Sequence, residues 1–205
     1  IFQPELRRAL EQLGRNKVLG FLVSENPKVL DDRFNTKTMN EIVKASFEMS
    51  KVKTGALIVI ERKTPLSEYE RTGIVVDGVV TSQLLLNIFE HNTPLHDGAV
   101  IVRGNRAVAA TCYLPLSDNM SISKDLGTRH RAGLGISEVS DSVTVIVSEE
   151  TGRVSVAYEG TLKSGMDPEG LKEELNRIIE DNEGGGRRRL RILKGRQKHE
   201  RKADK

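Results

Sequence analysis

At 205 residues, with 37% apolar and 30% charged positions, the chain has the composition of a soluble globular protein with one substantial core. The formal charge of +3 hides an asymmetry: residues 187–205 hold ten Lys and Arg against two acids, while the other 186 residues hold 22 against 27. An acidic body argues against a nucleic-acid-binding face on the folded part, and no apolar run approaches the ~18 residues that span a bilayer.

After Pro4, the spacing of Leu6, Leu10 and Leu13 predicts a short helix that stops at Gly14. A second helix is predicted over 36–52, with Met39, Ile42, Val43, Phe47 and Ser50 on one face. Gly55–Ile60 is a compact apolar run that predicts a buried strand leaving at Glu61-Arg62. Residues 65–71 suggest a short helix, whereas Ile74–Val80 is apolar but broken by Asp77-Gly78, a turn signal that counts against a strand. Leu85, Ile88 and Phe89 predict a helix from Ser82 to Phe89, with Pro94 beyond it. Ala99–Val102 and Ala107–Tyr113, joined through Gly104-Asn105, predict a hairpin, and Val143–Val147 with Val154–Tyr158 predict another. Asp167-Pro168 starts a last helix with Leu171, Leu175, Ile178 and Ile179 on its apolar face. The expected fold is α/β, a central mixed sheet of roughly five strands flanked by helices. The expected ordered domain covers 1–183, and 184–205, opening on Gly184-Gly185-Gly186, is expected to be a flexible basic tail. Cys112 is the single cysteine, which rules out an internal disulfide and is compatible with a reducing compartment.

Two stretches carry chemistry. In His96-Asp97-Gly98, a carboxylate at the entry to a strand suits a metal, His96 adds a second donor, and Gly98 permits close backbone approach. The plain alternative is a turn, since Pro94 and Asp97-Gly98 are common loop residues. Gly127-Thr128-Arg129-His130-Arg131 stands where a helix begins. Thr128 is placed to cap free amides that bind anions, and two arginines add phosphate donors. A solvated basic turn is its alternative, although cations at a helix N-terminus oppose the macrodipole and an anionic ligand would remove that conflict. Ser148-Glu149-Glu150, at a strand end, reads either as a polar turn or as a contributor to a site at the same sheet edge.

Taken together, Leu95-His96-Asp97-Gly98-Ala99 and Gly127-Thr128-Arg129-His130-Arg131 resemble the paired DGA and RHR signatures of the diadenylate cyclase (DAC) domain, over about Phe2 to Gly160. Phe2–Leu10 resembles the junction after the transmembrane helices of the membrane-anchored, CdaA-type branch. The resemblance implies the DAC-domain fold and condensation of two ATP into cyclic di-AMP with Mg²⁺ or Mn²⁺. It implies catalytic roles for Asp97, Arg129, His130 and Arg131, with Asp97 and His96 on the metal. ATP would be bound by Gly98, Tyr113, Leu114, Thr128, Arg129, Ser148 and Glu149. A two-fold symmetric product implies a face-to-face homodimer. The branch further implies a location at the cytoplasmic face of the bacterial membrane, through a segment absent from this chain, and a YbbR-domain regulator and phosphoglucosamine mutase as partners. Gly133 departs from the pattern, where Ala is expected. A catalytically silent module that senses ATP or a dinucleotide and acts through partners is the competing reading, and nucleic-acid binding through the tail ranks third.

Overall fold

The computed structural model describes residues 34–119 and 126–178. The predicted opening helix, Ile179 and the tail from 184 lie outside those residues. Seven strands form one sheet: Ala56–Ile60 (β1), Ile74–Val79 (β2), Ala99–Arg103 (β3), Arg106–Cys112 (β4), Val143–Val147 (β5), Val154–Tyr158 (β6) and Thr161–Ser164 (β7). Across the sheet they run β2-β4-β3-β1-β5-β6-β7. The pair β1–β3 is parallel, and the remaining neighbours are antiparallel. The expected mixed sheet is therefore what forms.

At its centre lies β1, and the sequence explains why: all five residues of Ala-Leu-Ile-Val-Ile are buried, as a strand covered on both faces requires. On one face Ala56, Ile58 and Ile60 join Val100 and Val145 beneath Thr36–Val52 (α1), Ser82–Phe89 (α3) and a helical run over 168–178 (α5). Met39, Ile42, Leu85, Leu171 and Leu175 supply the helical side of that core. On the other face Leu57, Val59, Ile101 and Ile146 meet Ile136 of Thr128–Val139 (α4) and Leu66, which leads into Ser67–Glu70 (α2). Full burial of each Val, Leu, Ile or Met among these stabilises the fold by roughly 1.5–3 kcal/mol.

Helices α1, α3 and α5 start where short polar side chains accept free amides. Asn35 Oδ1 accepts from Thr38 N at 2.9 Å, and Thr81 Oγ1 accepts from Leu84 N at 3.1 Å. Asp167 Oδ1 accepts from Gly170 N at 2.7 Å, as the Asp-Pro signal predicted. The turn between β3 and β4 uses Gly104 at φ 58°, the left-handed conformation expected of a Gly-Asn hairpin.

Two strands depart from the sequence reading. Asp77-Gly78 does not break the 74–80 stretch, because Asp77 adopts φ 45° and the pairing with β4 shifts register between Val75 and Gly78. The turn signal marks a bulge in an edge strand. Thr161–Ser164 pairs with β6 at the opposite edge, and its mostly exposed pattern lacks the apolar run that announces a strand. Gly133 also gains a reason. A Cβ there would lie 2.7 Å from Ile146 Cδ1 and 2.9 Å from Ile146 Cγ1, so its absence lets α4 sit close against β5. Among the described residues no helix is long and apolar enough to cross a membrane.

Candidate functional site

The register gathers the singled-out stretches at one end of the sheet. Pairing of Ile58 with Val100 and of Ala56 with Val147 sets the entries of β1 and β3 and the exit of β5 side by side. Asp97 and Gly98 precede β3, Gly55 precedes β1, and Ser148 follows β5. Tyr113 follows β4, whose Cys112 pairs with Ala99. Two strand spacings, about 10 Å, separate β3 from β5 at this end.

At this end the first turn of α4 meets the turn after β5, and Gly127–His130 with Val147–Glu150 line a cavity between them. Arg129 is the central group. Its guanidinium forms an ion pair with Glu149, its side chain is 19% exposed, and its Nε is buried without a hydrogen-bond partner. Gly55 forms the floor: a Cβ there would stand 2.8 Å from Arg129 Nη1 and 2.9 Å from Glu149 Oε2. Glu149 partly answers the conflict between a cation and the helix macrodipole, so that conflict alone does not demand a ligand.

The N-cap is Gly127, at φ −67° and ψ 175°, and no side chain caps the helix. This corrects the expectation that Thr128 caps. Thr128 is instead the first helical residue, exposed and on the cavity wall. His130 lines the same cavity but is only 6% exposed, and burial pushes its pKa down while Glu150 opposes the shift. It therefore offers the N–H of a neutral ring at neutral pH. Arg131 is not among the lining residues; its carbonyl accepts from Ser117 N at 3.0 Å. Ser148 Oγ accepts from Thr151 N at 3.2 Å, which leaves its hydroxyl proton free to be donated.

The other predicted residues stand apart from that cavity. Asp97 is exposed on the loop before β3. His96 donates from Nδ1 to the Thr93 carbonyl at 2.6 Å, which leaves Nε2 as the nitrogen with a lone pair. Gly98 adopts φ 126°, and a Cβ would lie 2.7 Å from Thr111 C, so the close backbone approach it permits is to the neighbouring strand. Tyr113 is 68% exposed and anchored by its amide to Thr72 Oγ1 at 2.9 Å, while Leu114 packs against the second core cluster. Among the described residues no three His, Cys, Asp or Glu side chains cluster as a metal cage. Gly55 had no functional signal of its own in the sequence, because its neighbours across the site come from 70 and more residues away.

A three-layer α/β domain with a basic helix start and an acidic turn at one sheet end has the makings of a phosphate-binding protein. A family model described as DAC, DisA bacterial checkpoint controller nucleotide-binding, matches residues 43–162, and the chain belongs to that family. Over 182 residues it is 54% identical to the cyclic di-AMP synthase CdaA of Bacillus subtilis, a match covering 89% of this chain and 65% of the relative. It is 49% identical over 179 residues to a diadenylate cyclase of Listeria monocytogenes, covering 87% of this chain and 62% of that one. The chain thus spans somewhat under two thirds of the length of these curated relatives. The crystal structure of a double mutant of DacA from Staphylococcus aureus is similar with a TM-score of 0.68 and 50% identity, over 69% of this chain and 95% of that one. The resemblance drawn from the paired motifs, and the α/β fold it implied, are borne out.

Proposed function

We propose that the chain is the catalytic part of a diadenylate cyclase, which joins two ATP molecules into cyclic di-AMP and releases two pyrophosphates. The 3′-oxygen of each ATP bonds to the α-phosphorus of the other, the α–β bridging bond breaks, and the hydroxyl proton leaves to solvent. The observation that carries this reading is Arg129: a largely buried guanidinium in the first turn of α4, laid over a glycine floor and already holding a carboxylate. A site that holds one anion in this way suits a triphosphate. Family membership supplies the substrate class.

In this mechanism Arg129 and the first amides of α4 hold the phosphates and stabilise charge on the departing pyrophosphate. Thr128 and Ser148 donate hydroxyl protons to phosphate oxygens, and the neutral His130 donates an N–H. Arg131 supports this turn at longer range. Tyr113 offers an exposed ring to adenine beside Leu114, and Glu149 moves off Arg129 as phosphate arrives. Gly98 keeps the Asp97 loop against β4.

Asp97 and His96 would hold the divalent cation, Mg²⁺ or Mn²⁺. The donors fit. An exposed carboxylate and an imidazole oriented through Nδ1 make a partial set of the kind completed by substrate phosphates and water. When bound, the metal would polarise phosphoryl oxygens and lower the pKa of the attacking hydroxyl.

Each chain holds one ATP in this scheme, so two chains must face each other. Incubation with ATP and Mn²⁺ or Mg²⁺ should give cyclic di-AMP, with turnover per chain falling on dilution. ATP binding without product at high protein concentration would favour a silent sensing module, and turnover independent of dilution would end the two-chain mechanism. We further propose attachment to the cytoplasmic face of the membrane through a segment outside this chain. A YbbR-domain regulator and phosphoglucosamine mutase are the proposed partners, tested by co-purification.

A further inference from the structure

The turn bearing Ser148, Glu149 and Glu150 is held from outside by a residue far away in sequence. Ser50, in the last turn of α1, donates its hydroxyl to the carbonyl of Gly152 at 2.5 Å across 102 positions. Gly152 has φ 72°, and a Cβ on it would stand 2.5 Å from the Ser50 carbonyl oxygen, so the two backbones can meet only at a glycine. Internally, Gly152 N donates to Ser148 O at 2.9 Å, Ser148 N donates to Arg153 O at 3.0 Å, and Thr151 N donates to Ser148 Oγ at 3.2 Å. These bonds shape the turn, the β5–β6 pairing and the Arg129–Glu149 ion pair bound it, and the Ser50 bond ties it to the end of α1.

The same short segment fixes the other side. Lys53 adopts φ 56°, its amide and that of Thr54 return to the end of α1, and the chain then enters β1 through Gly55, the floor under the Arg129–Glu149 pair. Residues 50–55 thus carry both the latch on the Glu149 turn and the surface on which Arg129 lies. We propose that Ser50 is a positioning residue of the cyclase reaction, holding the Ser148–Glu150 turn at the height where it meets Arg129 and the incoming phosphates. This rests on the cyclase reading above.

The test uses the full chain with ATP and Mn²⁺, comparing wild type with Ser50→Ala and Ser50→Thr. Ser50→Ala is expected to lower kcat about tenfold with KM for ATP within about threefold, since a small misplacement of reacting groups is felt mainly in the transition state. Ser50→Thr, which keeps the hydroxyl, should restore most of that loss. The melting temperature of each variant is measured alongside. Unchanged kcat in Ser50→Ala would overturn the inference. So would a loss that Thr fails to rescue, or one that only tracks the fraction of protein unfolded. A wild-type chain that makes no cyclic di-AMP would defeat the function itself, which is a distinguishable result.

Discussion

The two halves of the candidate site are built differently. Around Arg129 the chain supplies an ion pair, a glycine floor, a lined cavity and a latched turn, all within one copy. Around Asp97 it supplies an exposed carboxylate, one oriented imidazole and an exposed tyrosine, with no third metal donor among the described residues. The first half is preorganised, which suits a grip on phosphates that must hold before reaction. The second half is open, which is compatible with the proposed metal, substrate and second copy of the chain.

The sharpest way to break this contrast is Asp97→Asn. If the open half serves only chemistry, the variant should lose ~100-fold or more in cyclic di-AMP formation, as expected when metal assistance is removed. ATP affinity measured in EDTA by calorimetry should stay at the wild-type value. A matching fall in metal-free affinity would show that Asp97 belongs to the binding half.

Arg129→Ala tests the other side. Loss of a charge-assisted contact of about 1.5–3 kcal/mol should weaken ATP binding roughly 10- to 100-fold. Arg129→Lys should recover little, because an ammonium cannot reproduce the guanidinium fork. Gly55→Ala comes next in size. Its methyl would push on Arg129 and Glu149 at their mobile ends, so the fold should survive while kcat/KM falls about tenfold. Equal activity and an undisturbed ion pair in a crystal of the variant would show that the floor is not tight.

How far the sequence discloses these halves follows from how local each signal is. Asp97 and Arg129 stand in contiguous motifs, and the strands β1, β3 and β5 beside them are apolar runs. The central β1 and both hairpins were legible for that reason. The bulged β2 was not, since Asp77-Gly78 gives the same local signal whether it ends a strand or kinks one against β4. The cap of α4 falls one residue before the expected Thr128, because a hydroxyl signals a cap in the sequence whereas Gly127, nearly as good a cap former, carries no side chain to signal one. Gly55, Ser50 and Gly152 matter only through partners brought in by the sheet register, so nothing within a window of neighbouring residues marks them.

His130 sharpens the comparison through pH. Burial disfavours its charged form, so its folded pKa lies below the unfolded value of about 6.5. As pH falls through that value, the unfolded chain takes up a proton that the folded chain resists. Stability is therefore lost on acidification, over the window from about 6.5 down to the folded pKa. His130→Gln should show a flatter fall in melting temperature across that window than wild type. Parallel curves would mean that the ring titrates freely, and that the preorganised half carries an extra positive charge in acid.

The smallest expected effect lies outside both halves and calibrates the rest. Glu174 bonds Lys163 at 2.8 Å and Arg177 at 2.6 Å, and the Arg177 guanidinium above all holds its carboxyl down at about 2. Its folded pKa is depressed, so its contribution is present above the usual carboxylate range and is lost as pH falls from about 4.5 toward 2. Lys163 and Arg177 are 52% and 53% exposed, so solvent screening limits the gain to about 1 kcal/mol or less. Glu174→Gln should lower the melting temperature at pH 7 by roughly 2–4 °C at most. That difference should shrink in acid, and ATP turnover at pH 7 should be untouched. A turnover loss as large as that of Gly55→Ala would show that general loosening of the domain, rather than displacement of the Arg129–Glu149 pair, accounts for both.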